Sequence, residues 1–343
     1  MNKGHFCRYM SKRLYVSVGL LFLIERCIVF ITGFFTQNVI QYIQNTERMQ
    51  KMYKLHRLGE RTYYIEAPTN IGIYLYEQNK VCLIDSGGDS TAAAEILKII
   101  NDQGWKIGMV LNTHSHADHM GGSAYLHKNT GCKVYAPGAD CAIVNHSFLN
   151  SVYLYGGYTM EGLHSKFIYA EPCHCEQLSD DILPEGLSYI YVSGHSFDMA
   201  AFKTSDDIWF LADSVLDAPT LDRYKITFLY NIEEHLKTLQ KVQQLSGKLF
   251  IPAHSEPVSD IRPLAEKNRR TIDEVTNTIK RLCKEPLSID ELVSKLLAEF
   301  NIKLYLTQYA LIGFTTRSYI SWLCDKGEME PVFDGTSLKW KTT

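Results

Sequence analysis

The chain has 343 residues, 45% of them hydrophobic and 21% charged, with a formal net charge of −3. This length fits one large domain plus a smaller one, and the composition excludes a disordered or fibrous chain. A charge this near neutral also excludes a global field that would recruit nucleic acid or an anionic membrane.

In chain order, residues 14–35 are largely apolar and follow Lys12 and Arg13, as a signal or anchor segment would. Glu25 and Arg26 sit in the middle of that stretch. A central Arg alone costs about 2.5–3.5 kcal/mol on the insertion scale. Residues 1–51 are therefore expected to be an extension outside the fold, with Met52 as a natural start. Membrane contact is expected only if that extension is real.

After Met52 the pattern turns strand-rich, with short β-type runs at 62–67, 71–77 and 80–85 separated by turn residues. Helical spacing of Ala93, Ile96, Leu97 and Ile100 predicts a helix over 90–101. A strand at 106–112, a helix at 123–129, a strand at 133–136 and a short helix at 139–145 follow. Residues 147–184 are rich in Tyr and Gly and show no period, which suggests a lid or binding loop. Within it Tyr153, Tyr155 and Tyr158 are candidates for a substrate wall. Strands resume at 188–193, 201–204 and 208–212, and a helix at 233–245 leads to a strand at 248–252. Strands first, then strands alternating with helices, predict an α+β sandwich of mixed sheets with helices outside.

A boundary is expected near residues 260–263, dividing a domain of 52–260 from a module of 261–343. Ile272, Val275, Ile279 and Leu282 mark an amphipathic helix, and Ser288 with Glu291 forms a capping box that opens a second. A third helix is predicted over 316–326 and a hairpin around Asp334-Gly335. Three helices and a hairpin are the order of a winged helix. From Arg262 onward there are 13 Lys/Arg and 11 Asp/Glu, and the third helix carries only Arg317 and Lys326. A reading helix normally brings a denser basic face, so dimerisation or covering of the site is the expected role rather than grip on nucleic acid.

The nine cysteines are scattered and odd in number, with no Cys-x-x-Cys pair. They read as reduced thiols of a cytoplasmic protein. Cys173-His174-Cys175 lacks partners at zinc spacing and is expected to pack rather than bind metal.

The chemistry concentrates in Thr113-His-Ser-His-Ala-Asp-His119, directly after a strand and before Gly121-Gly122. In an extended segment alternate side chains share a face, so His114 and His116 point the same way. The chain then turns and brings Asp118 and His119 toward the same region. Three imidazoles and a carboxylate within six residues are N/O donors suited to Zn²⁺, Fe²⁺ or Mn²⁺. Later strand ends offer His195, Asp213 and His254, each just past an apolar run. Together these make seven candidate ligands, the number expected for a dinuclear site with a bridging carboxylate.

The run resembles the His-x-His-x-Asp-His signature of the metallo-β-lactamase superfamily, and the later residues follow that family's chain order. The resemblance covers roughly residues 62–258 and fits the branch that includes glyoxalase II. It implies a four-layer αββα sandwich, with the 261–343 segment similar to a winged-helix tail seen in some members. By resemblance, His114, His116 and His195 would hold one metal, Asp118, His119 and His254 a second, and Asp213 would bridge. Asp85, in Leu-Ile-Asp-Ser-Gly-Gly, matches an acidic residue of the family and would accept a ligand imidazole N–H; its alternative is turn capping.

These readings imply a hydrolase with two divalent ions, zinc first and iron or manganese next. A shared water acidified toward a pKa of ~7 would attack a small ester, thioester or lactone, with Asp118 as ligand and proton shuttle. Rival readings are a mononuclear-iron persulfide dioxygenase, which has a similar His run, and a metallo-nuclease acting on RNA. A flavodiiron reductase is disfavoured, because that branch usually has Glu where His116 stands. The expected partner is a small-molecule substrate, with a homodimer as one use of the C-terminal module.

Overall fold

The computed structural model describes residues 53–164 and 168–343. The apolar stretch at 14–35, Cys7, Cys27 and the boundary at Met52 lie outside the described residues. Residues 53–343 form one compact unit. Among the described residues no helix is long and apolar enough to cross a membrane.

The first sheet begins with β1 (Lys54–Arg57), β2 (Thr62–Glu66), β3 (Ile71–Leu75) and β4 (Lys80–Ile84), an antiparallel meander. Helix α1 (Ser90–Asp102) crosses to β5 (Lys106–Leu111), which pairs parallel with β4. The single turn α2 (Ala117–Met120) and α3 (Ser123–Thr130) then lead to β6 (Lys133–Ala136), parallel to β5. Helices α4 (Gly138–Asn145) and α5 (Phe148–Tyr155) precede β7 (Glu176–Gln177), the seventh strand of this sheet.

The second sheet is built from β8 (Leu187–Tyr191), β9 (Ala200–Thr204) and β10 (Ile208–Ala212), followed by helices α6 (Ala218–Tyr224) and α7 (Ile232–Gln243) and strand β11 (Leu249–Pro252). Its order is β11-β10-β9-β8, with β10 and β11 parallel. Helices α8 (Arg262–Leu282), α9 (Ile289–Glu299) and α10 (Leu306–Asp325) follow, and the chain closes with the hairpin β12 (Met329–Asp334) and β13 (Ser337–Thr342).

Strand alternation builds the layers, because successive side chains point to opposite faces. Val81 and Leu83 of β4 pack with Ala93, Ile96 and Ile100 of α1 and Leu126 of α3. Cys82 and Ile84 face the other way and meet Phe202, Ile208, Phe210 and Ile251 of the second sheet. In β10, Trp209 and Leu211 turn outward onto Ile232, Leu239 and Val242 of α7. The result is helix, sheet, sheet, helix. One apolar cluster runs from this outer face through Ile272, Val275 and Ile279 of α8 to Leu292 and Leu296 of α9 and Ile320 and Leu323 of α10. The C-terminal helices thus continue the helix layer over the second sheet, and Leu287 bridges to Trp340 in the hairpin.

Strands β1 and β7 and the turn α2 lie outside the sequence reading, and three helices differ from it. The aperiodic insert contains a helix, α5, ended by Gly156 at a φ of 82°, where a left-handed conformation suits glycine. Helix α6 is capped by Asp217, whose side chain accepts from the Thr220 N–H, with a proline in its first turn. Helix α10 starts at Leu306 rather than at residue 316. It buries Gln308, Ala310, Ile312, Gly313, Thr315 and Thr316 together, so no single apolar stripe marks its first half.

Candidate metal centre

The centre lies where strand ends of both sheets meet. Thr113 and its neighbours leave β5, His195 follows β8, Asp213 follows β10 and His254 follows β11. Asp213 is preceded by Ala212 at a φ of 50°, and Asp85 itself has a φ of 68°. Non-glycine residues in this region carry about 1–3 kcal/mol of strain and cluster at functional sites. Close backbone approach explains the glycine pair: a Cβ on Gly121 would collide with the Gly88 carbonyl, and one on Gly122 with the Ser86 carbonyl.

All seven sequence candidates converge. The donor atoms of His114, His116 and His195 lie within 4.8 Å of one another, as do those of His114, His119 and Asp213, and of Asp118, His119 and His254. His114 and His119 each belong to two of these groups, and Asp213 reaches across all three: its carboxylate oxygens stand 3.3 Å from His119 Nε2, 3.4 Å from His195 Nε2 and 3.4 Å from His254 Nε2. Asp118 Oδ2 lies 3.3 Å from His254 Nε2 and 3.8 Å from His119 Nε2.

Each imidazole has one nitrogen engaged outside the cluster, so that the other faces in. His119 Nδ1 meets Asp85 Oδ2 at 2.8 Å. His114 Nδ1 meets Thr113 Oγ1 at 3.0 Å, and that hydroxyl donates onward to Asp85 Oδ2. His195 Nδ1 donates to the Phe228 carbonyl at 3.0 Å and His254 Nδ1 to the Pro68 carbonyl at 2.8 Å. His116 is reversed. Its Nε2 meets the Tyr153 hydroxyl at 3.0 Å, leaving Nδ1 to face His195 Nε2 at 2.9 Å. Such outer partners fix tautomer and ring orientation in metal-ligating histidines.

The donor set fits divalent cations. His114 Nε2, His119 Nε2 and Asp213 Oδ1 are buried without a hydrogen-bond partner, a cost that coordination would remove. Burial and the neighbouring imidazoles hold His114 well below its usual pKa. Burial likewise lowers His116, and it takes His195 down to about 3 against the pull of Asp213. These three rings therefore keep free lone pairs. Burial also opposes charge on His119, but Asp213, Asp85 and Asp118 outweigh it and raise the ring to about 10. His254 is raised in the same way, chiefly by Asp213. The carboxylates thus draw positive charge into the cluster, which cations would supply.

Of the tyrosines proposed for a substrate wall, only Tyr153 reaches the cluster, and it does so by bonding a histidine. Tyr155 is 40% and Tyr158 92% exposed. Tyr155 ends α5 on the side away from the buried Asn150, Ser151 and Leu154, and Tyr158 stands beyond the Gly156 cap. Cys173 and Cys175 are buried in the apolar layer behind the first sheet and His174 is exposed, so the three do not share a centre.

Two residues carry structure that the sequence reading gave no role. Asp140, in the first turn of α4, is fully buried. Its Oδ1 accepts from the Ser115 N–H at 2.9 Å and from the hydroxyls of Ser115 and Ser196, and its Oδ2 accepts from the Asp198 N–H at 2.9 Å. One carboxylate thereby ties the 114–116 run to the His195 loop. An acid opening a short helix gives no such signal, because its partners are 25 and 56 positions away. Phe228 is the other. Its ring stands 5.1 Å from that of His116 and 5.7 Å from that of His195, and it stacks on Phe314 at 5.0 Å.

A family model described as the metallo-beta-lactamase superfamily matches residues 66–254. This chain belongs to the metallo-beta-lactamase superfamily. Similar relatives include two proteins named hydroxyacylglutathione hydrolase. The one from Methylococcus capsulatus is 39% identical over 75 residues, which is 20% of this chain and 29% of that protein. The one from Rhodopseudomonas palustris strain BisB18 is 46% identical over 57 residues, or 16% of this chain and 22% of that protein. The matches thus span less than a third of those relatives. Among solved structures, a beta-lactamase domain protein from Burkholderia ambifaria superposes with a TM-score of 0.68 at 16% identity, covering 84% of this chain and 94% of that one. A metallo-beta-lactamase family protein from Thermus thermophilus gives 0.62 at 18% identity, over 80% and 94%. Both show the superfamily fold.

Proposed function

We propose that this superfamily member is a metal-dependent hydrolase of a small acyl substrate, an ester, thioester or lactone, with two divalent ions, zinc foremost. One observation carries the reading: seven inward-facing donors from four separate segments, five of them imidazoles whose outer nitrogens are already engaged. His114, His116 and His195 would hold one ion, Asp118, His119 and His254 the other, and Asp213 both. When bound, such a pair acidifies a shared water and polarises a carbonyl oxygen. The chain's own residues then position the donors. Asp85 and Thr113 hold the rings of His119 and His114, and Phe228 packs against those of His116 and His195. The Asp118 carboxylate, 29% exposed, is the group placed to take a proton and pass it to a leaving group.

The short matches to relatives named hydroxyacylglutathione hydrolase support thioesters among the acyl classes. The buried thiols of Cys82, Cys132, Cys141, Cys173, Cys175 and Cys283, all unpaired, support a reducing compartment such as the cytoplasm. The test is metal analysis of purified protein joined to a panel of ester, thioester, lactone and phosphodiester substrates. Two divalent ions per chain with acyl cleavage is the expected result. One iron per chain with oxygen uptake and no hydrolysis, or cleavage of the phosphodiester alone, overturns it.

A further inference from the structure

Beside the centre runs a groove of about 470 Å³. Its walls include Leu216, Tyr224, Ile226 and Phe228 from the segment after β10, and Tyr305 and Leu311 at the start of α10. Phe228 is common to groove and centre. Its ring faces His116 and His195, and its backbone carbonyl accepts the His195 Nδ1–H. Leu216 stands three residues after Asp213. The groove therefore adjoins a residue that touches two of the imidazoles. Among the described residues no charged side chain lines it; its polar groups are threonine hydroxyls, tyrosine hydroxyls and the Gln308 amide.

This lining discriminates between substrate classes. A ligand bearing several carboxylates or an ammonium group would leave its charges unpaired there, and burying an uncompensated charge is costly. An apolar chain loses nothing and gains from leaving water. The volume falls in the range of small-molecule sites. We infer that the groove holds the acyl chain of the substrate, and that the preferred substrate is the ester or thioester of an uncharged, apolar acid of medium chain length. The inference rests on the acyl-hydrolase reading and narrows it. The reaction is hydrolysis: the acyl carbon–oxygen or carbon–sulfur bond breaks, water supplies the new acyl oxygen, and the alcohol or thiol leaves with a proton.

The experiment compares p-nitrophenyl acetate, butyrate and octanoate on the metal-loaded protein, and separately measures binding of octanamide, an uncharged non-ester probe, by calorimetry. In the wild type, kcat/KM should rise by on the order of tenfold or more from acetate to octanoate, since each added methylene in an apolar pocket contributes a sizeable factor. Leu311→Trp, which fills the groove, should cut the octanoate-to-acetate ratio by about tenfold and weaken octanamide binding. Thr307→Phe, at a half-buried position of the same rim, repeats the test should Leu311→Trp fail to fold. Acetate cleavage with a flat chain-length profile and no octanamide binding overturns the groove assignment and leaves the hydrolase reading standing. Octanamide binding that Leu311→Trp abolishes, with no ester cleaved at any length, upholds the groove and overturns the hydrolase reading.

Discussion

The histidines of this centre are defined as much by what touches their outer nitrogens as by what they face. Tyr153 holds His116 through a 3.0 Å hydrogen bond that its hydroxyl oxygen accepts from the ring's Nε2–H. Tyr153→Phe keeps the ring packed against Phe197 and Phe314 and removes only that bond. Metal affinity, read by chelator competition, should fall by about tenfold or more, in line with the loss of outer partners of ligating histidines; an unchanged affinity would show that Tyr153 only packs. Asp140 acts between segments. Asp140→Ala leaves the Ser115 N–H buried without its acceptor, an expense of about 1–3 kcal/mol per orphaned group. Urea unfolding should show at least that loss, and Asp140→Asn, which keeps one acceptor oxygen, should recover part of it.

At the scale of elements, the chain's local signals and its tertiary demands agree in some places and part in others. Ser288 and Glu291 form the capping box that their spacing predicts. Ser288→Ala should cost about 1 kcal/mol by thermal unfolding, and a change within error would mean that α9 is held by packing alone. Strands and helices between residues 62 and 145 are readable from their period where one face is more buried than the other. Helices α5 and α10 are not, since α5 buries Asn150 and Ser151 beside Leu154 while Phe148 is exposed, and α10 is buried around much of its circumference. For the same reason the seven donors could be named from strand ends and a dense run, whereas Asp140 and Phe228 could not. Their significance lies in contacts across dozens of positions, which no local pattern records. Tyr155 and Tyr158, named as a wall from residue type alone, stand exposed, whereas Tyr153 reaches the donors.

For the whole molecule, the sharing of one apolar cluster by the second sheet and helices α8 to α10 has a consequence for stability. Ile279 is fully buried in α8. Ile279→Ala should cost about 2–5 kcal/mol and lower a single unfolding transition seen equally by probes near the centre and in the hairpin. Two separate transitions, only the second of them shifted, would mean that residues 262–343 fold on their own. Metal removal acts on the same unit from the other end. Stripping the ions with a chelator should lower the melting temperature, because ligands that bind only the folded state stabilise it.

The most direct test counts metal in purified wild type, His116→Ala and Asp213→Ala, each checked for native secondary structure by circular dichroism. The wild type should carry two divalent ions per chain. Each variant should lose bound metal and acyl-ester turnover together, with Asp213→Ala depleting both positions because its carboxylate reaches His119, His195 and His254. Variants that retain a full complement of metal and wild-type turnover would contradict the assignment of these side chains as the centre.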